Sequence, residues 1–370
     1  MTISPHEHLY DSQVDFSSNQ NQEDNPVTEY WEEPDVSIEL DVFRRDLRFD
    51  DGVEHEIMCF NDDDGDRAFP GPLIRVQEGQ IFHGTTHPSK GPHTTHWHGL
   101  EPDPRNDGVG HTSFEIEGEY TYQWQPEVGW PGDPNLGGAG TYFYHCHVNT
   151  TLHVQLGMFG PLIVDPVVHP VFPVTEGVTR RVFIDGPEYD IDTETLIAPY
   201  SVDPRWHDYN HAEGLSGEDV GLNNFQPEYF YLLGGELAHR PGEEHVWSLQ
   251  NMRANVAGGD RAPTLLRLLN ANYSPTTIRF TDSNGTPVKM AELLSHDGRP
   301  FRETSRYGPC RSCHFTDYPL MTHIVASGAA ERYDMLLHPP QPGTYYLSMQ
   351  FEHWIGGDVI GERIVEITAA

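Results

Sequence analysis

Positive charge is scarce in this chain of 370 residues, and lysine is nearly missing. Lys90 and Lys289 are its lysines, and 22 basic residues stand against 57 acidic ones, for a formal net charge of −35. Such a chain repels a polyanion, so we expect no nucleic-acid partner. The acidic excess is typical of the solvated surface of salt-adapted proteins, and the same field attracts cations.

Long hydrophobic runs are missing as well. No run of 18 or more apolar residues occurs, so we expect no membrane span. No basic segment followed by an apolar one begins the chain, so the sequence predicts no secretory signal. The protein is therefore expected to be either cytoplasmic or the mature form of an exported protein.

Cysteine is also rare, since the chain has four: Cys59, Cys146, Cys310 and Cys313. This number excludes the dense disulfide framework of a small secreted protein. Cys59 lies in an apolar run and is expected to be a buried core thiol. The run from Cys310 to His314 matches the c-type haem attachment pattern, but a local disulfide or a reduced metal clip is the favoured interpretation.

Turn-forming residues are abundant, with 35 glycines and 30 prolines between short β-branched and aromatic runs. This pattern predicts an all-β protein, and the length suggests two domains. Residues 1–34 are predicted to be a flexible arm. Strand signals typical of a Greek-key β-sandwich recur over 35–165 and again over 180–370, with a linker at 166–179. Within the second unit, residues 186–228 are predicted to be a long irregular insertion.

The most informative stretch is His145-Cys146-His147, which follows a strand-like run at 140–144. Successive side chains of a strand point to opposite faces of its sheet. The Cys146 sulfur is therefore expected on one face, and the imidazoles of His145 and His147 on the other. One strand of this kind serves two metal centres, one on each side, with the backbone joining them.

A second histidine cluster lies upstream, in the run His93-Thr94-Thr95-His96-Trp97-His98. His96 and His98 are two residues apart and share a face of a strand. The odd offset lets His93 face the opposite way, toward Cys146. The upstream cluster is therefore expected to contribute to both sides of the downstream strand.

A blue copper site combines two imidazoles and a thiolate in a plane with a weak axial thioether. The chain offers this set in His93, Cys146, His153 and Met158. Zinc also accepts cysteine and histidine ligands. The number of ordered positions in the two motifs favours copper.

Residues 69–164 resemble the multicopper oxidases, the family of laccase and ceruloplasmin. The matching segments are FPGPLIRV (69–76), HTTHWHGL (93–100) and GTYFYHCHVNTTLHVQLGMFGPLIV (140–164). The resemblance implies two cupredoxin domains, an oxidoreductase activity, a type 1 copper that accepts electrons, and a trinuclear copper cluster that reduces dioxygen. In the second unit, three segments are similar to the copper-free middle domain of laccases: 265–280, 330–337 and 343–354.

By this resemblance, type 1 copper is held by His93, Cys146, His153 and Met158. A trinuclear cluster needs eight histidines, and the first domain supplies four of them: His96, His98, His145 and His147. The second unit has no His-x-His motif at the corresponding places, 276–279 and 351–354. A two-fold pairing of first domains would bring four plus four histidines together, because such an interface is isologous. We therefore expect a homo-oligomer.

Two other functions stay open. Copper nitrite reductases share the fold, but they place an aspartate where His96 stands and a small residue where His147 stands. A lone type 2 copper completed by a neighbour's histidine, such as His353, is one alternative. A non-catalytic electron-transfer protein with type 1 copper alone is the other. Dioxygen is the expected acceptor, and the reductant is open among phenols, metal ions and a protein donor.

Overall fold

The computed structural model describes residues 33–61, 69–89, 91–100, 102, 104–109, 116, 119–131, 137–213, 219–238, 249–301 and 320–370. Nearly all of their regular structure is β-strand in two sandwiches, so the all-β prediction is confirmed. Within these ranges no helix has the length and apolar character to cross a bilayer. The predicted arm up to residue 32 and the Cys310-to-His314 motif lie outside the described residues.

The first sandwich contains eight strands and one short helix among the described residues. In chain order they are β1 (Val36–Arg48), β2 (Glu54–Asn61), β3 (Ile74–Gln77), β4 (Phe82–His87), β5 (His96–His98), β6 (Tyr120–Trp124), β7 (Gly140–His145), α1 (Thr150–Leu156) and β8 (Phe159–Asp165). One sheet has the order β2-β1-β4-β6, and the other has the order β3-β8-β7-β5.

Large aromatic side chains fill the space between these two sheets. Phe60, Trp97, Tyr122 and Tyr144 are fully buried there. Cys59, which is a free thiol, is buried in a second cluster that also contains residues of the second sandwich, such as Leu196 and Tyr200. Trp97 occupies the buried position of β5, and the histidines on either side of it are half-buried. The alternation expected for this strand is therefore present, with tryptophan toward the core and histidines away from it.

The second sandwich begins after residue 178. Its strands are β9 (Thr179–Arg181), β10 (Glu188–Asp190), β11 (Thr195–Val202), β12 (Tyr229–Glu236), β13 (Asn251–Ala254), β14 (Thr264–Leu269), β15 (Thr276–Asp282), β16 (Ala291–His296), β17 (Arg299–Pro300), β18 (Leu320–Thr322), β19 (Ile324–Ser327), β20 (Arg332–Leu337), β21 (Gly343–Glu352) and β22 (Val359–Ala369). The division of the chain into an arm, two domains and a linker stays a prediction.

Two sheets pack face to face in this second unit. One has the order β12-β11-β14-β20-β16-β17, with β18 paired to β16, and the other has the order β13-β22-β21-β15-β19. The strands β9 and β10 form a separate pair. Apolar residues of both sheets, such as Leu268, Ile278 and Leu347, are fully buried between them.

The prediction of an irregular insertion at 186–228 was wrong for its first half. This part contains β10 and β11, and β11 is buried along its whole length. A continuously buried strand has no polar alternation, which is why its pattern was missed. After Val202 the chain does leave the sheet, through the one-turn helix α2 (Pro204–His207), and returns at β12.

A buried ionic network joins the two sandwiches. Arg267 of β14 donates to Glu194 at 2.7 Å and to Asp334 at 3.0 Å, and all three residues are almost fully buried. Arg267 also donates to the Thr141 hydroxyl of β7 at 2.9 Å, and Arg75 of β3 donates to Glu194 at 2.8 Å. Although burial raises it, the two arginines lower the pKa of Glu194 to about 2. The network fixes β7 against the second sandwich.

Replacing the central cation should therefore destabilise the whole chain. Arg267→Met leaves Asp334 without its buried cation and Glu194 with one of two, which should lower the free energy of unfolding by about 3 kcal/mol. Chemical denaturation measures this loss. Arg279→Met, at an exposed position of β15, is the control and should cost less than about 1 kcal/mol. Equal losses in the two variants would contradict the role of the network.

Two buried histidines lie where α2 meets β2. The rings of His55 and His207 are 5.9 Å apart, and His207 Nδ1 donates to the Glu56 carbonyl at 2.6 Å. Burial lowers the pKa of His207 to about 4 and also lowers that of His55. Both rings are therefore neutral at neutral pH, at the contact between the two units.

These histidines should make the fold sensitive to acid. Below pH about 6.5 the unfolded chain takes up a proton at His207 that the folded protein refuses until pH about 4, so stability falls across this window. The loss from this group should be about 2 kcal/mol near pH 5 and about 3 kcal/mol near pH 4. Urea unfolding of the wild type and His207→Gln at neutral pH and near pH 5 measures it. Identical pH dependence in both proteins would contradict the prediction.

Candidate metal centre

The structure brings the predicted ligand residues together in two groups. His93, Cys146 and His153 form the first donor group, and within it the ligand atoms all lie within 4.8 Å of one another. The second donor group is defined here as His96, His98, His145 and His147. Its first three members also place their ligand atoms within 4.8 Å of one another.

The first donor group is closed to solvent. Cys146 Sγ lies 3.5 Å from His93 Nδ1 and 3.2 Å from His153 Nδ1, and all three side chains are 0% exposed. Met158 is equally buried, and its backbone carbonyl accepts from the Cys146 N–H at 3.1 Å. Three of the residues predicted for a blue copper site therefore bring their side chains together in one dry place, next to the backbone of Met158.

Backbone carbonyls fix the tautomers of the two imidazoles. His153 Nε2 lies 2.9 Å from the His211 carbonyl, and His93 Nε2 lies 3.3 Å from the Ser89 carbonyl. A carbonyl only accepts, so each Nε2 carries the hydrogen and each Nδ1 turns a lone pair toward Cys146. Burial lowers the pKa of His93 to about 3 and that of His153 to about 4, so both rings are neutral.

These distances fit a bound metal ion. A first-row ion at about 2.0 Å from nitrogen and about 2.3 Å from sulfur separates the donors by roughly 3.3–3.8 Å. The S···N distance of 3.5 Å lies within this range, and the distance of 3.2 Å lies just below it. Two neutral imidazoles with oriented Nε2–H groups and one thiol are a donor set that suits copper.

A short helix that the sequence analysis missed positions His153. Asn149, at φ 47°, leads into α1, and Gly157, at φ 116°, ends it. Leu152 and Leu156 are buried on this helix and hold it against the first sandwich. Because α1 is about two turns long, it returns the chain so that the His153 ring and the Met158 backbone carbonyl both reach Cys146.

The second donor group lies on the other side of the same strand. His98 Nδ1 and His145 Nε2 are 3.2 Å apart. A metal ion about 2.0–2.1 Å from each of two nitrogens holds them about 3.3 Å apart at a tetrahedral angle. The ring centres of His96 and His147 are 5.4 Å apart, and those of His145 and His147 are 5.8 Å apart. All four imidazoles therefore face one small region.

Hydrogen bonds again set which nitrogens face inward. His145 Nδ1 donates to the Cys146 carbonyl at 2.8 Å, and His96 Nδ1 donates to the Asp107 carbonyl at 2.6 Å. Their Nε2 atoms consequently present lone pairs. Burial, and then the nearby Arg332 charge, lower the pKa of His98 to about 3. Burial also places the pKa of His145 well below its ordinary value.

The second sandwich does not offer His353 as a ligand. His353 Nδ1 accepts from the backbone N–H groups of Ile355 and Gly356, at 3.3 and 3.0 Å. The lone pair of Nδ1 is therefore already engaged by the backbone of the following turn. Sequence reasoning also missed His211, which contacts the first donor group. It belongs to no ligand motif, so no local pattern marks it.

Comparisons with known proteins agree with this architecture. Residues 41–168 match the family model described as multicopper oxidase. A multicopper oxidase from Talaromyces pinophilus is 33% identical over 217 residues, which cover 56% of this chain and 32% of that protein. The chain spans less than half of the length of the curated relatives that it matches.

Solved structures show the same fold. A blue copper oxidase from Nitrosomonas europaea aligns with a TM-score of 0.59 at 22% identity, over 90% of this chain and 86% of that one. A copper nitrite reductase from Nitrosomonas europaea aligns with a TM-score of 0.53 at 16% identity, over 90% and 93%. The predicted pair of cupredoxin-like sandwiches is confirmed. Residues 41–168 form a domain of the multicopper oxidase family.

Proposed function

We propose that this protein is a copper-dependent oxidoreductase that oxidises a reducing substrate at a type 1 copper and passes the electrons to a dioxygen-reducing copper cluster. One observation carries the proposal: Cys146 stands between two groups of converging imidazoles. Its sulfur faces His93 and His153, and its carbonyl accepts the Nδ1–H of His145. A single residue thus joins the two centres.

In this proposal the first donor group and Met158 are the type 1 site. Copper, when bound, supplies reversible one-electron chemistry at both centres. The chain excludes water from Cys146 and holds both imidazoles in the correct tautomer through the carbonyls of Ser89 and His211. The path between the centres runs along the backbone of Cys146 into the His145 ring, with no gap through solvent.

The second donor group supplies half of a trinuclear cluster. Among the described residues, no further convergent histidine group exists to supply the other half. His96, His98 and His147 are only half-buried, so they lie at an edge that a second chain can reach. A two-fold pairing of first sandwiches brings the same four residues from each chain to one place. We therefore propose a cluster completed by oligomerisation.

A nitrite-reductase-like enzyme is the second candidate, and one observation favours it. The nitrogens of His96, His98 and His145 already lie within 4.8 Å of one another in one chain. Three imidazoles are enough to hold a single type 2 copper, and a water or substrate molecule then takes the fourth position. In that case no second copy is needed to build the centre.

Removing the thiolate tests the type 1 assignment. Cys146→Ser should abolish the intense blue absorption, because that band needs a copper–thiolate bond. Titration of the apo-protein with copper, followed by visible absorption, measures it. Cys59→Ala, which removes the other described free thiol of the same sandwich, should keep the band. A blue band that survives Cys146→Ser would contradict the ligand assignment.

Counting copper distinguishes the candidate functions. One type 1 copper per chain and three shared by two chains give about 2.5 coppers per chain in the assembled protein. A nitrite-reductase-like protein should hold about two, without a coupled pair of coppers, and an electron carrier about one. Metal analysis with electron paramagnetic resonance, followed by dioxygen and nitrite assays, measures these outcomes.

A variant in the second donor group tests that centre independently of the type 1 site. His98→Ala should remove copper from the second donor group, because His98 faces His145 there. The blue band should remain, since His98 does not contact Cys146. About one copper per wild-type chain, unchanged in His98→Ala, would rule the cluster out.

A further inference from the structure

The second sandwich places a buried cation next to the second donor group. Arg332 is the first residue of β20, and its side chain is only 3% exposed. Its guanidinium lies over the rings of two residues of β7, with its carbon 5.9 Å from the ring centre of Tyr142 and 5.8 Å from that of Phe143. Its Nε donates to the Thr141 carbonyl of the same strand at 3.4 Å. Arg332 is therefore held against the strand that ends at His145.

Phe143 is a common neighbour of Arg332 and the second donor group. The His98 ring stacks on Phe143 with ring centres 4.4 Å apart, and the His145 ring stacks on it at 5.2 Å. A phenyl ring has no charge of its own and excludes water, so it screens the guanidinium charge poorly. In agreement with this, Arg332 is, after burial, the next cause of the low pKa of His98.

The backbone beside His98 is shaped to admit the guanidinium. Gly99 has φ of +94°, a conformation that residues with a side chain rarely adopt. A Cβ at this position would also collide with Arg332 Nη2 and with the Tyr142 ring. Glycine therefore lets the cation approach the chain at the residue that follows a predicted ligand.

Stability alone does not explain a cation in this place. The carboxylate of Asp297 pairs with Arg332 at 3.0 Å, but the Asp297 side chain is 40% exposed. Such a pair gains little, because the desolvation of the buried charge offsets the attraction. A second carboxylate nearby, Asp334, is already paired with Arg267. The positive charge of Arg332 is therefore only partly compensated beside the donor group.

We propose that Arg332 sets the reduction potential of the second centre: its buried charge favours reduced copper at the second donor group, so that electrons flow toward that group. A fixed positive charge repels Cu(II) about twice as strongly as Cu(I), because the ions carry two charges and one. Each electron comes from the reducing substrate by way of Cys146 and lowers the charge of one copper ion by one, and no bond of the protein breaks. The inference rests on the proposed function, since it requires copper at the second donor group.

This role gives the second sandwich a part in the electron transfer. Arg332 belongs to the same chain as the donor group, so its charge is present whether or not a second copy completes the cluster. The neighbouring charge at His96 has the opposite sign, since Asp107 Oδ1 lies 3.3 Å from His96 Nδ1. The two sandwiches thus place opposite charges at two of the four histidines.

Paired copper affinities test the proposal. The parent protein is the full chain with Cys146→Ser, which removes the type 1 thiolate. Copper binding that disappears when His98→Ala is added to the parent is assigned to the second donor group. Competition titrations with chelators of Cu(II) and, without oxygen, of Cu(I) measure the two dissociation constants. The ratio of these constants gives the reduction potential, which a merely structural residue would leave unchanged.

Removing the charge should shift the two affinities unequally. In the parent, Arg332→Gln should tighten the binding of Cu(I) roughly tenfold and that of Cu(II) roughly 100-fold, as expected for a unit charge within about 10 Å at an effective dielectric constant of about 20. Arg332→Lys keeps the charge and should stay close to the parent for both ions. Arg279→Gln loses the same charge at an exposed position of β15, where water screens it, and should also match the parent.

A further variant should act in the opposite direction. Asp297→Asn removes the carboxylate beside Arg332 but keeps an oxygen that accepts from the Arg332 backbone N–H. Cu(II) should then bind about threefold more weakly, a small factor because Asp297 is partly screened by water.

Misfolding does not imitate this pattern, because a damaged site binds both ions less tightly. Unchanged or weaker Cu(II) binding in Arg332→Gln, or equal changes for the two ions, would overturn the role of Arg332 alone. A parent without any copper that depends on His98 would defeat the proposed function and this inference with it.

Discussion

The alternation of side chains at the end of β7 is the constraint on which the rest of the structure depends. Because neighbouring residues point to opposite faces, Cys146 turns its sulfur to one set of imidazoles while His145 turns its ring to another. The buried tryptophan of β5 repeats the same alternation from the upstream side. The ionic network that Arg267 forms with Thr141 and Asp334 holds this strand against the second sandwich.

The sequence predicted much of this because period-two patterns are local. The strands that carry the histidines, and the opposite orientations of His93 and His96, follow from spacing alone. The predicted sandwiches follow from recurring strand and turn signals. By contrast, β11 was missed because burial on both faces removes the alternation. The helix α1 was missed because about two turns are too short for a helical period to emerge.

The segment between β11 and β12 shows a different limit of prediction from sequence. Its sequence is polar and aperiodic, which correctly predicts irregular backbone but says nothing of where that backbone lies. Its position comes from distant contacts: Trp206 in the core of the other sandwich, and the carbonyl of His211 on His153. Such contacts join residues more than fifty positions apart, so no local pattern encodes them. Among its described residues the second unit has no convergent histidine group of its own. It contributes to the first donor group through this segment, whose His211 carbonyl accepts from His153.

The proposed function requires two metal centres that share one residue, Cys146. Anomalous scattering at the copper edge, from crystals grown with copper, tests this most directly. We predict separate anomalous peaks on the two sides of the Cys146 backbone, one beside its sulfur and the others beside His98 and His145. Crystals with copper beside these histidines but none at the sulfur, or with a single peak on either side, would contradict it.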